Sequence, residues 1–278
     1  MKFWHGWRSI AHESLTNLHC YDDRVPTAGV LFILILVFFV TSIVSVVTGS
    51  TSLITVPVMI SLGIEPHVAV TTNMLALTLM SLGGSLSFIG KGVINRTRLP
   101  LSVALTIFGS ALGALLLLKI PLRALQLVIA IAMIAIALFS LLNRSASLTD
   151  HDVPVSRYCN ITGYILTFFL GVYGGFFSGG YVTILTAAFV LFFGMTLLHS
   201  MATTKVVNIF SSAVATAVFA WRGALNYKLG LLLGLVMFVG AMIGARTTLK
   251  MSPLWLRRVF LIAVFALALK MVLNFVKG

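Results

Sequence analysis

Stretches of roughly twenty apolar residues, almost free of charge, recur along this chain and leave it few ways to fold. A helix of that length crosses the hydrocarbon core of a bilayer, since each residue adds about 1.5 Å of rise. Long candidates cover 27–47, 68–89, 99–118 and 123–142, then 159–177, 199–221, 228–249 and 255–276. Between the first and second of each set lies a shorter piece opened by glycine, Gly49 to Leu62 in front and Gly180 to Phe193 behind. Backbone polar groups in lipid must be satisfied inside the spanning segment, which selects helices. The pattern predicts an all-α polytopic membrane protein. Each half would have about four transmembrane helices plus one short re-entrant helix.

Composition closes the alternative of a soluble fold. Only 9% of the residues are charged and 59% are hydrophobic, whereas soluble domains carry about 25% charged residues. The 19 Lys and Arg against 6 acids read as loop charge facing anionic headgroups. The lipid bilayer is thus the expected partner, and nucleic acid is not. Cys20 and Cys159 fit no metal or redox spacing, and the sequence calls for no cofactor and no metal.

Residues 1–26 are no signal peptide, because His5, Arg8, His12, Glu13, Asp22 and Asp23 interrupt any apolar run. Phe3, Trp4, Trp7, Ile10, Leu15 and Leu18 share one helical face, as in an amphipathic helix lying in the interface. His5, His12 and His19 are about 10 Å apart along such a helix, too far to share an ion. A polar stretch, 143–158, then separates a first membrane repeat, 27–142, from a second, 159–278.

The two repeats superpose at an offset of 131 or 132 residues. Gly49 falls on Gly180, His67 on His199, and Thr71-Thr72-Asn73 on Thr203-Thr204-Lys205. Lys91-Gly92 falls on Arg222-Gly223, Asn95 on Asn226, and Pro121 on Pro253. Gly109-x-x-x-Gly113 falls on Gly240-x-x-x-Gly244. So many ordered matches, with only single-residue gaps, indicate internal duplication.

Several of these residues also carry a likeness. The run Gly171-Val-Tyr-Gly-Gly-Phe-Phe-Ser-Gly-Gly180, Val56-Pro57, Ala69-Val70-Thr71-Thr72-Asn73 and the Lys/Arg-Gly-x-x-Asn loops resemble the sulfite exporter TauE/SafE family from about residue 29 onward. The resemblance implies a bacterial inner-membrane transporter for export or uptake of small anions such as sulfite or organosulfonates, with export the expected direction. Where that family often has a glycine run, this chain has Thr48-Gly49-Ser50-Thr51.

An anion site needs hydrogen-bond donors in a low dielectric, and helix N-termini supply them with a favourable dipole. Short helices at matching places in two halves point to such a site. The candidates are therefore Gly49, Ser50 and Thr51 with Ser178, Gly179 and Gly180, together with Thr71, Thr72, Asn73, Thr203, Thr204 and Lys205. All four helix starts are expected to converge on one small anionic substrate. Clustered Gly174, Gly175, Gly179 and Gly180 predict irregular backbone, whereas Gly109, Gly113, Gly240 and Gly244 predict close helix packing. Tyr173 and Trp221 read as packing residues or interface anchors.

Glu13, Asp22, Asp23, Glu65, Asp150 and Asp152 are the acids, and none falls inside a predicted span. A carboxylate-lined cation path is therefore disfavoured, and so is an intramembrane enzyme, which would need a nucleophile and base at depth. A membrane-embedded assembly or scaffold protein is the alternative reading, and a homo-oligomer is compatible with either. With the short pieces re-entering, eleven basic residues fall on the cytoplasmic side against six outside, which puts the 91–98 and 222–228 loops both inside. If the short pieces cross instead, the halves are inverted and that bias disappears.

Overall fold

The computed structural model describes residues 27–49, 51–142 and 155–247. The interfacial segment 1–26, Ser50, most of the linker and the last expected span, 255–276, lie outside the described residues. Among those described, the chain forms nine helices and no strand. They are α1 (Ala28–Thr48), α2 (Ser52–Ser61), α3 (Pro66–Leu86), α4 (Leu99–Leu117) and α5 (Leu122–Leu142), then α6 (Arg157–Phe176), α7 (Tyr181–Phe193), α8 (Leu197–Trp221) and α9 (Tyr227–Thr247). Six of them are long and apolar enough to cross a membrane.

Local chemistry sets the ends. Glu65 caps α3 by accepting from the His67 and Val68 amides, with Pro66 in the first turn, where its missing N–H is not needed. Ser156 and Thr196 cap α6 and α8 by accepting from the amides of Cys159 and His199. Gly109 and Gly113 lie against the α6 backbone at Phe168, Val172 and Phe176, and Gly240 and Gly244 against the α1 backbone at Phe39 and Ile43. These glycines pack helices, as expected of small-residue seams.

Matched contacts give the sense of each helix. Thr71 donates to the Ala224 carbonyl at 2.5 Å, the Thr78 and Thr216 hydroxyls lie 3.4 Å apart, and Asn208 donates to Ser81 at 2.6 Å. Numbers fall along α8 as they rise along α3, so these two helices are antiparallel. Leu75 meets Gly230, Leu79 meets Gly234, and Gly83 meets Phe238, so α9 runs parallel to α3. Gly240 against Phe39 and Gly244 against Ile43 make α9 parallel to α1 as well. Hence α1 and α3 point the same way.

That result bears on where the re-entrant piece expected at α2 lies. A piece that entered and left by the same face would leave α1 and α3 antiparallel. Instead α2 runs back along α3, with Thr51 beside Met80 and Thr55 beside Asn73. The 87–98 and 222–226 loops consequently sit at opposite ends of the bundle. Asn95 of the first loop donates to Thr203 near the start of α8, and Ala224 of the second accepts from Thr71 near the start of α3.

Candidate functional site

Two glycine turns bring the short helices together. Gly49 closes α1 at φ 71° and Gly180 opens α7 at φ 76°, left-handed values that glycine alone adopts without a Cβ penalty. A Cβ on Gly49 would stand 3.1 Å from both the amide nitrogen and the hydroxyl of Thr183, and one on Gly179 would stand 2.6 Å from Leu53. Each turn therefore lies against the first residues of the other short helix, and the starts of α2 and α7 meet. Tyr173 braces the second turn by donating to the Gly179 carbonyl at 2.6 Å. The meeting point is deep: Thr51 donates to the Met80 sulfur at 3.4 Å, and Met80 is about 21 Å along α3.

Lys205 reaches the same place from α8. It is 2% exposed, and its ammonium donates to the Ser45 carbonyl at 3.3 Å. That carbonyl, in the last turn of α1, also accepts from the Gly49 amide at 2.7 Å. The negative end of the α1 dipole thus favours the lysine's charge. Ser45 donates to Met80 at 3.7 Å, which ties the lysine, the Gly49 turn and α3 into one cluster. Glu65 is the one acid among the described residues, and it precedes Ser81, the partner of Asn208, by about 24 Å of helix.

The convergence expected of four helix starts is reduced to two. The starts of α3 and α8 lie at opposite ends, where Thr71 is bonded to Ala224 and Thr203 to Asn95. Asn73 clamps α2 to α3, accepting from Thr55 and donating to Ser52, both at 2.8 Å. Thr204 pairs with Thr186 at 3.0 Å, and the Thr72 hydroxyl is buried without a partner. Ser178 and Gly179 are buried in the turn before α7. Gly174 and Gly175 are helical, which corrects the irregular backbone expected there.

Sequence reasoning missed Ser45, Met80, Asn208 and Ser81. Asn208 stands one turn beyond Lys205 on α8, so helical periodicity marks it as a neighbour. Nothing comparable marks Ser45 or Met80, which join the cluster only through packing between helices. His67 and His199 sit in the first turns of α3 and α8, away from this cluster.

Comparison with known proteins bears on what such a cluster serves. Residues 34–271 match the family described as sulfite exporter TauE/SafE. A "Probable membrane transporter protein" of Haemophilus influenzae is 30% identical over 242 residues, covering 87% of this chain and 94% of its own. The "Probable membrane transporter protein ORF9" of Sinorhizobium sp is 30% identical over 238 residues, with 84% and 88% covered. The "Probable membrane transporter protein YfcA" of Escherichia coli K12 is 28% identical over 244 residues, with 87% and 88% covered. No solved structure matches the chain significantly.

Proposed function

The chain belongs to the sulfite exporter TauE/SafE family of membrane transporters, and from that premise we propose that it moves small anions, sulfite or organosulfonates among them, outward across the bacterial inner membrane. The anion is held where the starts of α2 and α7 meet, beside Lys205. Lys205 carries the reading: it is a buried amine whose partner is a carbonyl, in a region where the described residues offer no carboxylate. A fixed cation next to two helix N-termini suits an anion that has shed its water. The mechanism is binding and transfer, with no covalent step.

Internal duplication with inversion is part of this reading. The landmarks matched by sequence are supported by matched packing, since α1 lies on α9 as α6 lies on α4, and the Thr71–Ala224 bond answers the Thr203–Asn95 bond. Inverted halves with a broken helix in each place the site at the interface between them.

Flux of labelled sulfite and of a taurine-like sulfonate into inside-out membrane vesicles tests the proposal. Saturable uptake that depends on the protein is expected for one or both. If vesicles with and without the protein are indistinguishable for both compounds, the anion reading fails and the scaffold alternative replaces it.

A further inference from the structure

Four hydroxyl groups from three helices meet beside the start of α7, away from Lys205's own partners. Thr106 and Ser110 come from α4, Tyr181 from the first residue of α7, and Ser211 from α8. Thr106, Ser110 and Tyr181 are fully buried, and Ser211 is nearly so. The Ser110 and Ser211 hydroxyls lie 2.6 Å apart, and Ser110 also donates to the Gly171 carbonyl at 3.1 Å. The Tyr181 hydroxyl is within hydrogen-bonding reach of Thr106 and Ser211, but neither it nor the Thr106 hydroxyl meets the geometry of a well-formed hydrogen bond.

The glycine-rich end of α6 makes room for this arrangement. A Cβ on Gly171 would stand 3.1 Å from the Thr106 backbone, and one on Gly174 would stand 2.9 Å from the Tyr181 ring. So the two glycines let α4 and the tyrosine close in. A fully buried phenol and threonine short of a well-formed hydrogen bond lower stability, and such groups are kept where something else hydrogen-bonds to them. With the Ser110 proton given to the Gly171 carbonyl and the Ser211 proton to Ser110, Tyr181 and Thr106 remain as donors, and with no charged side chain among the four they suit a ligand that accepts hydrogen bonds.

We propose that Thr106 and Tyr181, held in place by the Ser110–Ser211 pair, form a hydroxyl cage that binds the oxygen atoms of the transported oxyanion next to the start of α7. The claim rests on reading the chain as an anion transporter, and it adds a second set of ligands to the lysine cluster. Neutral donors grip an oxyanion without trapping it as a second cation would, so the ligand can leave.

The test measures sulfite binding to the purified, lipid-reconstituted protein by titration calorimetry, together with the unliganded thermal midpoint. Tyr181→Phe, Thr106→Val and Ser211→Ala are each expected to weaken sulfite binding about threefold to tenfold. Tyr181→Phe should leave the unliganded midpoint unchanged or raised, because it removes a buried hydroxyl that lacks a well-formed hydrogen bond. A purely structural tyrosine would instead lower the midpoint and leave binding alone. If Tyr181→Phe does not fold, the other two variants carry the test. If Lys205→Ala weakens binding while all cage variants bind as the wild type does, the cage is wrong and the anion reading stands. If the wild type binds neither sulfite nor a sulfonate, both fall together.

Discussion

Lys205 brings a charge into a part of the bundle where insertion alone costs about 2.5–3.5 kcal/mol. Its bond to the Ser45 carbonyl recovers part of that through the C-terminal dipole of α1, and the remainder is available to an anion. Coulomb attraction at 4 Å comes to roughly 4 kcal/mol at an effective dielectric of 20, before both groups' desolvation is subtracted. Lys205→Ala should therefore raise the half-saturation concentration for the transported anion about tenfold to a hundredfold, some 1.4–2.8 kcal/mol, and Lys205→Arg less. Lys205→Glu should abolish flux, since it sets like charges together. Vesicle kinetics at matched protein levels decide it, and an unchanged half-saturation in Lys205→Ala removes the lysine from the site. The glycines separate into two kinds by the same logic. Gly49→Ala and Gly180→Ala force a left-handed alanine at about 1–2 kcal/mol each, and should cut flux more than tenfold while the protein persists. Gly113→Ala drives a methyl onto the Val172 carbonyl, and should deplete the protein from the membrane. Immunoblots beside flux assays distinguish the two outcomes.

At the scale of elements, the helices were legible in the sequence nearly to their ends. The span expected at 99–118 is α4, Leu99–Leu117, and the short piece beginning at Gly180 is α7, Tyr181–Phe193. Apolar length and glycine punctuation report local structure, and local structure is what such signals encode. The cluster around Lys205 was legible only on its glycine and lysine side. Ser45, Met80 and Ser81 look like any hydroxyl or thioether in a membrane helix until α1, α3 and α8 are packed together. Thr71 and Thr203 show the limit of such signals, because a threonine near a helix start serves equally to tie a loop, as both do. One helix end makes a separate prediction. Burial opposes charge on Glu65, but its contacts with His67 and with the His67 and Val68 amides outweigh that and hold its carboxyl below the ordinary range. A carboxyl lowered in the folded state adds stability above its unfolded value, and the benefit disappears as pH falls through the folded value. Glu65→Gln should therefore lower the stability of the purified protein by about 0.5–1 kcal/mol near neutral pH. The deficit should shrink as pH falls below the ordinary carboxyl range and vanish once the folded carboxyl is protonated. A deficit that persists unchanged at acid pH would show that the cap acts without its charge.

For the whole molecule, the direction of each half sets which surfaces face the same compartment. Basic residues were a poor guide, because the positive-inside count depends on whether α2 and α7 cross. With α1 parallel to α3, the ends of the bundle are nearly balanced among the described residues: Lys91, Arg96, Arg98, Arg157 and Arg246 belong to one end, while Lys119, Arg123, Arg222 and Lys228 belong to the other. Among the described residues neither end has the excess that would orient the chain by charge alone. Helix contacts carry the information instead, since four pairs between α3 and α8 or its flanking loops run in opposite order. Lys91 and Arg222 are exposed residues at matching places in the two halves. In a background with Cys20→Ser and Cys159→Ser, single cysteines at these two positions should react with a membrane-impermeant maleimide from opposite sides. One should label in intact cells, and the other only in inside-out vesicles. Labelling of both positions from the same side would show that the halves run parallel in the membrane, and the inverted arrangement around α2 and α7 would have to be abandoned.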